Sequence, residues 1–385
     1  VSSPPTPVVL QVLPALKSGG VERGTIEVAT ALRAANHRAL VASNGGRMVA
    51  ELEAVGAEHF TLPLNTKNPL KIWRNVTALE KLIRAQGVNI VHARSRAPAW
   101  SAYYAAKRCG VPFITTYHAA YNIDSKLRHR YASVMARGDK VIAISRYIEN
   151  TLRTRFGVPP ERIALIYRGF DHAAFNPASV TADRTEKLRT EWKLPPHVPV
   201  VLCPGRVSRT KGQDILLQAL GQIKELPFVC VLAGDNQGRS DVVAGLEKIA
   251  TAHGIADRLI MSGAYRDAPA VMLLADVIVT PATLPEAFGR TTAEAQAMGR
   301  WVISTNNGAA PEIISDGQTG GLVPASDPTA LAAALRRFFA LTPEQRHAAQ
   351  TLARKQALER FSTEKMCAAT LAVYESVLTE RPAPK

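Results

Sequence analysis

Cysteine is scarce. The four thiols of this 385-residue chain stand at Cys109, Cys203, Cys230 and Cys367. They lie too far apart in sequence for a zinc site or a redox motif, so no disulfide framework and no metal centre is expected. Cys203 and Cys230 fall in apolar, strand-like runs and read as buried thiols. No apolar run reaches the length that crosses a bilayer. The opening residues 1–7 lack the basic-then-apolar order of a signal peptide and carry no initiator Met. A cytoplasmic, reduced protein is the expectation. The phosphate-binding Walker pattern is absent. A dinucleotide fingerprint is absent too: Gly19, Gly20 and Gly24 make G-G-x-x-x-G, and Ser43-Asn44 stand where an acid would close the second strand. No helix-turn-helix, zinc or RNA-recognition signature is present, so nucleic acid is not an expected partner.

What is present is ordinary apolar material and a lopsided charge. Hydrophobic residues make up 46% of the chain. That is enough for two cores at this length. Residues 1–178 carry 24 Lys+Arg against 11 Asp+Glu, a net +13, and the rest carry 23 against 21, a net +2. A basic half of this kind suits an anionic surface or substrate.

Apolar runs predict strands at 8–13, 39–43, 60–62, 90–93, 113–117, 141–144 and 163–166, mostly with helices between. A charged, Pro-rich linker at 176–199 with a short helix at 184–192 precedes a second series, at 200–203, 228–233, 259–261 and 277–280. Three helices, 328–341, 343–360 and 363–378, close the chain. This alternation predicts α/β architecture: two Rossmann-like βαβ domains with parallel sheets covered on both faces. The expected division is 1–178, with 363–385 returning to it, and 179–362.

The candidate site centres on 285–294, P-E-A-F-G-R-T-T-A-E, between a strand and a helix. Open α/β sheets bind ligands at such turns. Gly289 permits close backbone approach. Thr291 and Thr292 are expected to cap the helix, whose first N–H groups suit a phosphate. Glu286 and Glu294 frame the turn, although two glutamates eight apart also occur by chance. In the loop after 200–203, Arg206 and Lys211 make a diphosphate clamp or, equally, two exposed loop charges. Gly19-Gly20 is either a plain strand-to-helix turn or one whose backbone meets a diphosphate. His118 ends a strand, as either a structural or a catalytic residue. Tyr265 or Arg266 would cover a base. Residues 124–137 read as a basic amphipathic helix, with Lys126, Arg128 and Arg130 beside Leu127, Tyr131 and Met135.

Several of these segments together carry a resemblance. Glu286-Ala287-Phe288-Gly289, Glu294 to Gly299, Val302 to Thr305 and Gly308-Ala309-Ala310-Pro311-Glu312 resemble the Glu-x7-Glu region of retaining GT-B glycosyltransferases of family 4, group 1. Gly205-Arg206, Lys211-Gly212 and Arg168-Gly169-Phe170-Asp171 extend the likeness. Ala287 and Ala309 stand where that family favours Gly, and Arg168 where it favours Asn. The resemblance implies a nucleotide-diphosphate sugar as co-substrate, with no further cofactor and no metal. It places Gly19, Gly20, Arg206, Lys211, Phe288, Gly289, Thr291, Thr292 and Glu294 on the donor. It gives catalytic roles to His118, Glu286, Arg206 and Lys211. The implied acceptor is a cell-envelope glycan or lipid-linked glycan of lipopolysaccharide type. The implied setting is the cytoplasm, at the anionic inner face of the membrane. A nucleotide-sugar epimerase or a non-catalytic relative are the alternatives.

Overall fold

The computed structural model describes residues 6–17, 19–121 and 123–380. Ser18, which the sequence places in the turn before Gly19, lies outside them, as do both chain ends. The chain divides into two compact units. One runs to Arg168 and regains the chain from Thr363, and the other spans Gly169–Ser362. The division falls earlier than the boundary expected at 178.

In the first unit β1 (Val8–Val12), β2 (Arg38–Ser43), β3 (Glu58–Thr61), β4 (Ile90–Ala93), β5 (Phe113–Tyr117), β6 (Lys140–Ala143) and β7 (Ile163–Leu165) form one parallel sheet, ordered β3-β2-β1-β4-β5-β6-β7. Every residue of β4 and β5 is buried. Burial on both faces is why neither strand alternates apolar and polar residues, and why His92, Thr115 and Thr116 are buried within them. The local signals are orthodox. Asn68 accepts from Leu70 N and Lys71 N to cap the helix Pro69–Gln86, and Gly87 ends it in the left-handed region. The helix Thr363–Thr379 packs on the helix Gly20–Ala34. Its buried Tyr374 hydroxyl meets His92 Nδ1 at 2.7 Å.

The second unit has β8 (Val200–Pro204), β9 (Val229–Ala233), β10 (Leu259–Gly263), β11 (Val277–Thr280), β12 (Trp301–Thr305) and β13 (Gly320–Val323), again parallel, ordered β10-β9-β8-β11-β12-β13. Its two ends meet, with Phe170 N donating to Phe361 O at 3.1 Å. Each sheet reverses its strand order once, between β1 and β4 and between β8 and β11. The crevice at the carboxyl ends of such a strand pair is where open sheets bind ligands.

The basic helix expected over 124–137 is shorter. It spans Lys126–Ala132 and gives way to a 3-10 turn, Ser133–Ala136. Val134 and Met135 are fully buried, and Thr115 Oγ1 donates to Met135 O at 2.6 Å. The core draws that turn inward, so Met135 is absent from the basic face.

Candidate active site

The switch point of the second unit is built from the loops after β8 and β11. Gly205, at φ 128°, carries the chain out of β8, and its N–H donates to Ala233 O at 2.8 Å. Arg206 follows, exposed, its carbonyl accepting from Gln213 Nε2. Gly212 brings the end of this loop onto the exit of β11. A Cβ there would collide with Pro281 O, so no side chain fits. Thr283 N donates to Thr210 O at 3.1 Å, tying the two loops together.

The result is an ion pair between Lys211 Nζ and Glu286 Oε1. The pair lines a pocket of only about 10 Å³ with Cys203, Thr280 and Thr291. Glu286 is also held from behind. Ala309 N donates to Glu286 O at 3.0 Å, and a Cβ on Gly308 would collide with the same oxygen. The motif contained Gly308, but a close approach of two backbones leaves no mark in spacing. Ala309 is buried at φ −94°, and Ala287 is not among the positive-φ residues. Alanine therefore fits both positions that resemble a family favouring Gly.

The helix after the motif is Arg290–Ala297, and one expectation about it is corrected. Thr291 and Thr292 do not cap it. Its N-cap is Gly289, in the left-handed region at φ 86°, without a side-chain cap. Glycine takes that conformation at no steric cost, so the helix starts before the threonines. The first intrahelical bond is Ala293 N to Gly289 O, leaving the amides of Arg290, Thr291 and Thr292 ahead of the ladder. Thr292 is buried, its hydroxyl 3.4 Å from that of Thr280. Glu294 pairs with Arg290 Nε at 2.8 Å, one helical turn away. That partner was readable from the i, i+4 spacing. Phe288 is buried edge-on to Phe361, with centroids 5.4 Å apart, so its ring anchors the loop. Burial, and next the charge of Glu294, push the Tyr265 phenol up to about 12. Tyr265 is half-buried, whereas Arg266 is exposed. A larger cavity, about 860 Å³, is lined by residues 189–190, 193–199, Glu186 and Asp276. It adjoins the amino ends of β8 and β11, the edge of a sheet where α/β proteins rarely bind ligands.

The remaining predicted residues belong to the first unit. Gly19, at φ 133°, is the N-cap of the helix Gly20–Ala34. Arg168 Nη2 donates to Gly20 O. A Cβ on Gly24 would run into Arg168 Nη1, so the guanidinium lies flat on the first helical turn. Sequence reasoning saw Arg168 only as a departure from Asn. His118 follows β5 with its Nε2 sealed from solvent and unpartnered. Burial, and next the charges of Arg168 and Arg94, hold its pKa well below 6.5, so the ring is neutral at physiological pH.

Known proteins share this architecture. Residues 18–174 match the Glycosyltransferase Family 4 domain and residues 184–356 the Glycosyl transferases group 1 domain. A D-inositol 3-phosphate glycosyltransferase of Xylanimonas cellulosilytica is 30% identical over 78% of this chain and 75% of its own length. The crystal structure of a glycosyltransferase from Rickettsia africae superposes with a TM-score of 0.90 at 34% identity, over 98% of this chain and all of the other. Anabaena Alr3699/HepE, crystallised with UDP, gives 0.83 at 24% identity, over 96% and 100%. Two parallel Rossmann-like sheets, both domain matches and these relatives agree: the chain belongs to the GT-B glycosyltransferases of family 4, group 1, and is a transferase.

Proposed function

We propose that the protein moves a sugar from a nucleotide-diphosphate sugar, bound by the second unit, to an acceptor bound by the first, with retention of configuration. The observation that carries this is the Lys211–Glu286 pair, which lines one small pocket with Thr291 at the switch point of the second sheet. Lys211 near the unladdered amides of a helix start, with Arg206 exposed on the same loop, suits a diphosphate. UDP in the Anabaena structure is a ligand of that class. Binding there exchanges Glu286 for phosphate oxygens on Lys211, freeing the carboxylate for sugar hydroxyls. The bond from the anomeric carbon to the diphosphate breaks as the acceptor hydroxyl attacks from the same face. Its proton passes to the departing phosphate. Arg206 and Lys211, in place of a metal ion, stabilise the charge that develops. Glu294 accepts from ribose hydroxyls, Tyr265 or Arg266 covers the base, and neutral His118 hydrogen-bonds the transferred sugar.

The acceptor in this reading is a lipid-linked or lipopolysaccharide-type glycan, met at an anionic inner leaflet by the basic first unit. A thermal-shift screen of nucleotide-diphosphate sugars identifies the donor. Mass spectrometry of the products then tests the reaction. Transferred sugar or slow donor hydrolysis supports a transferase. An isomerised donor would make the protein an epimerase.

A further inference from the structure

One buried polar side chain beside the donor loop has no role in the proposed transfer. Gln213 is the first residue of the helix Gln213–Gly221 and is only 2% exposed. A carboxamide shut away from water needs partners for its donor and its acceptor. It finds both on the loop after β8. Gln213 Nε2 donates to Arg206 O at 3.1 Å, and Gln213 Oε1 accepts, at 3.5 Å, from Ser208 N. Each bond has a counterpart on the same rigid peptide. The peptide that carries Arg206 O also carries the N–H of Val207, which donates to Asp235 O at 3.1 Å. The next peptide carries Val207 O, which accepts from Arg239 Nη1 at 3.3 Å, and the N–H of Ser208. Two successive peptide planes are therefore held at both edges, with Gln213 a partner of each. Upstream, Gly205 N donates to Ala233 O at 2.8 Å, and a Cβ on Gly234 would collide with Gly205 O. The backbone is thus fixed before and after Arg206, while the side chain between stays exposed.

We propose that Gln213 is a positioning residue of the donor clamp: it fixes the peptide that follows Arg206, and with it the direction in which the guanidinium leaves the loop. The inference rests on the reading that Arg206 meets the donor diphosphate. A guanidinium fork owes its strength on phosphate to geometry, so a loop free to turn about Arg206 would dilute it. A long side chain on an exposed loop also loses affinity to the ordering that binding demands, and a pre-set backbone removes part of that cost. Glutamine suits the place because it supplies a donor and an acceptor without charge. Glutamate would favour the helix start but cannot donate to Arg206 O. Methionine would fill the volume and make neither bond.

The test compares the full chain with its Gln213→Met variant, first without ligand. Hydrogen exchange at the Val207 amide should quicken about tenfold or more, while the interior of the helix Gln213–Gly221 keeps its protection. Unchanged exchange at Val207 overturns the proposal, and a rise spread over the whole unit makes Gln213 a structural residue only. Calorimetry then uses whichever of UDP, GDP and ADP binds the unaltered chain most tightly. Gln213→Met should weaken that affinity about tenfold, a size usual for coupled neighbours, yet change it by less than about twofold in a chain already carrying Arg206→Ala. Equal losses in both backgrounds refute action through Arg206. Should Gln213→Met melt below the assay temperature, Gln213→Glu keeps the acceptor for Ser208 N and loses the donor to Arg206 O. The same two comparisons then decide, run at high salt to screen the added charge. In steady-state assays Gln213→Met should raise the donor KM and leave the acceptor KM alone, and the reverse pattern contradicts the proposal. A chain that binds none of the three nucleotides, or binds one equally well with Arg206→Ala, would sink the donor reading and leave exchange at Val207 to decide whether Gln213 holds the loop.

Discussion

Lys211 and Glu286 compete for partners as much as they hold each other. Their side chains are 32% and 31% exposed. Ion pairs at that exposure contribute only about 0.2–1 kcal/mol. A diphosphate therefore displaces Glu286 at small cost. Lys211→Ala and Arg206→Ala are each expected to weaken nucleoside-diphosphate binding by about 1.5–3 kcal/mol in calorimetry. Glu286→Gln should keep that affinity, or raise it by no more than about 1 kcal/mol, while turnover falls. Unchanged affinity in both cation variants would remove the donor assignment. The histidines give a second expectation. Burial holds His92 and His118 well below 6.5. As pH falls through that ordinary value, the unfolded chain takes up protons that the folded chain refuses. Stability is thus full above it and is lost below it, by up to about 1.4 kcal/mol per pH unit for each ring. Urea unfolding on either side of that pH measures the loss, and equal stability on both sides would refute it. These residues were unequally legible. Arg206 and Lys211 announced themselves by their place in a loop after an apolar strand. Arg94 did not, because an arginine just past a strand reads as a surface charge, and only the fold reveals that helices cover it.

The elements most readable in the sequence are those with a one-dimensional signature. The expected bounds of β4, β5 and β11 match the structure to the residue, because strands buried on both faces are rich in apolar and β-branched residues and carry no charge. β13 was missed. Its four residues, Gly320–Val323, begin with two glycines, and its reason for being is tertiary: a Cβ on Gly320 would collide with Val302 O in the neighbouring strand. The start of the helix Arg290–Ala297 was misjudged for a related reason, since a left-handed glycine outranked two nearby threonines. Such contacts yield a sharp expectation for Gly308. Its φ is 58°. That conformation alone disfavours a side chain by about 1–2 kcal/mol. The approach to Glu286 O adds a clash on top. Gly308→Ala should lower stability by at least that much and displace Glu286, reducing turnover beyond the stability loss. Ala309→Gly, which restores the residue favoured in the resembling family, should cost no more than about 1 kcal/mol. Denaturant unfolding beside initial rates checks both. A fully active Gly308→Ala would show that the loop tolerates another path.

For the whole chain, the remaining question is why one half carries nearly all of the net +15. The first unit also exposes large apolar side chains: Leu127 at 81%, Leu70 at 73% and Trp73 at 54%. Trp73, Tyr104 and Trp100 form a row of rings, with Tyr104 5.6 Å from Trp73 and 5.9 Å from Trp100. Arg108 lies over Trp73 and Arg137 over Trp100. Aromatic rings beside basic groups suit the headgroup level of a bilayer. Leu127 stands between Lys126 and Arg128 on its own short helix. No helix among the described residues is long and apolar enough to cross a membrane, so attachment by this surface would be peripheral. Each basic residue near an anionic leaflet contributes about 1 kcal/mol, screened over about 8–10 Å. Three or four of them give weak docking that salt reverses, and the rings add an apolar share that salt does not touch. Co-sedimentation should therefore show binding to anionic vesicles at low salt, none to neutral ones, and release at high salt. Trp73→Ala with Leu127→Ala should weaken binding to anionic vesicles at low salt. Lys126→Glu with Arg128→Glu should abolish binding to anionic vesicles. Equal partitioning onto neutral vesicles would rule out charge as the cause. Failure to bind anionic vesicles at low salt would leave a soluble anionic acceptor as the reason for the basic half.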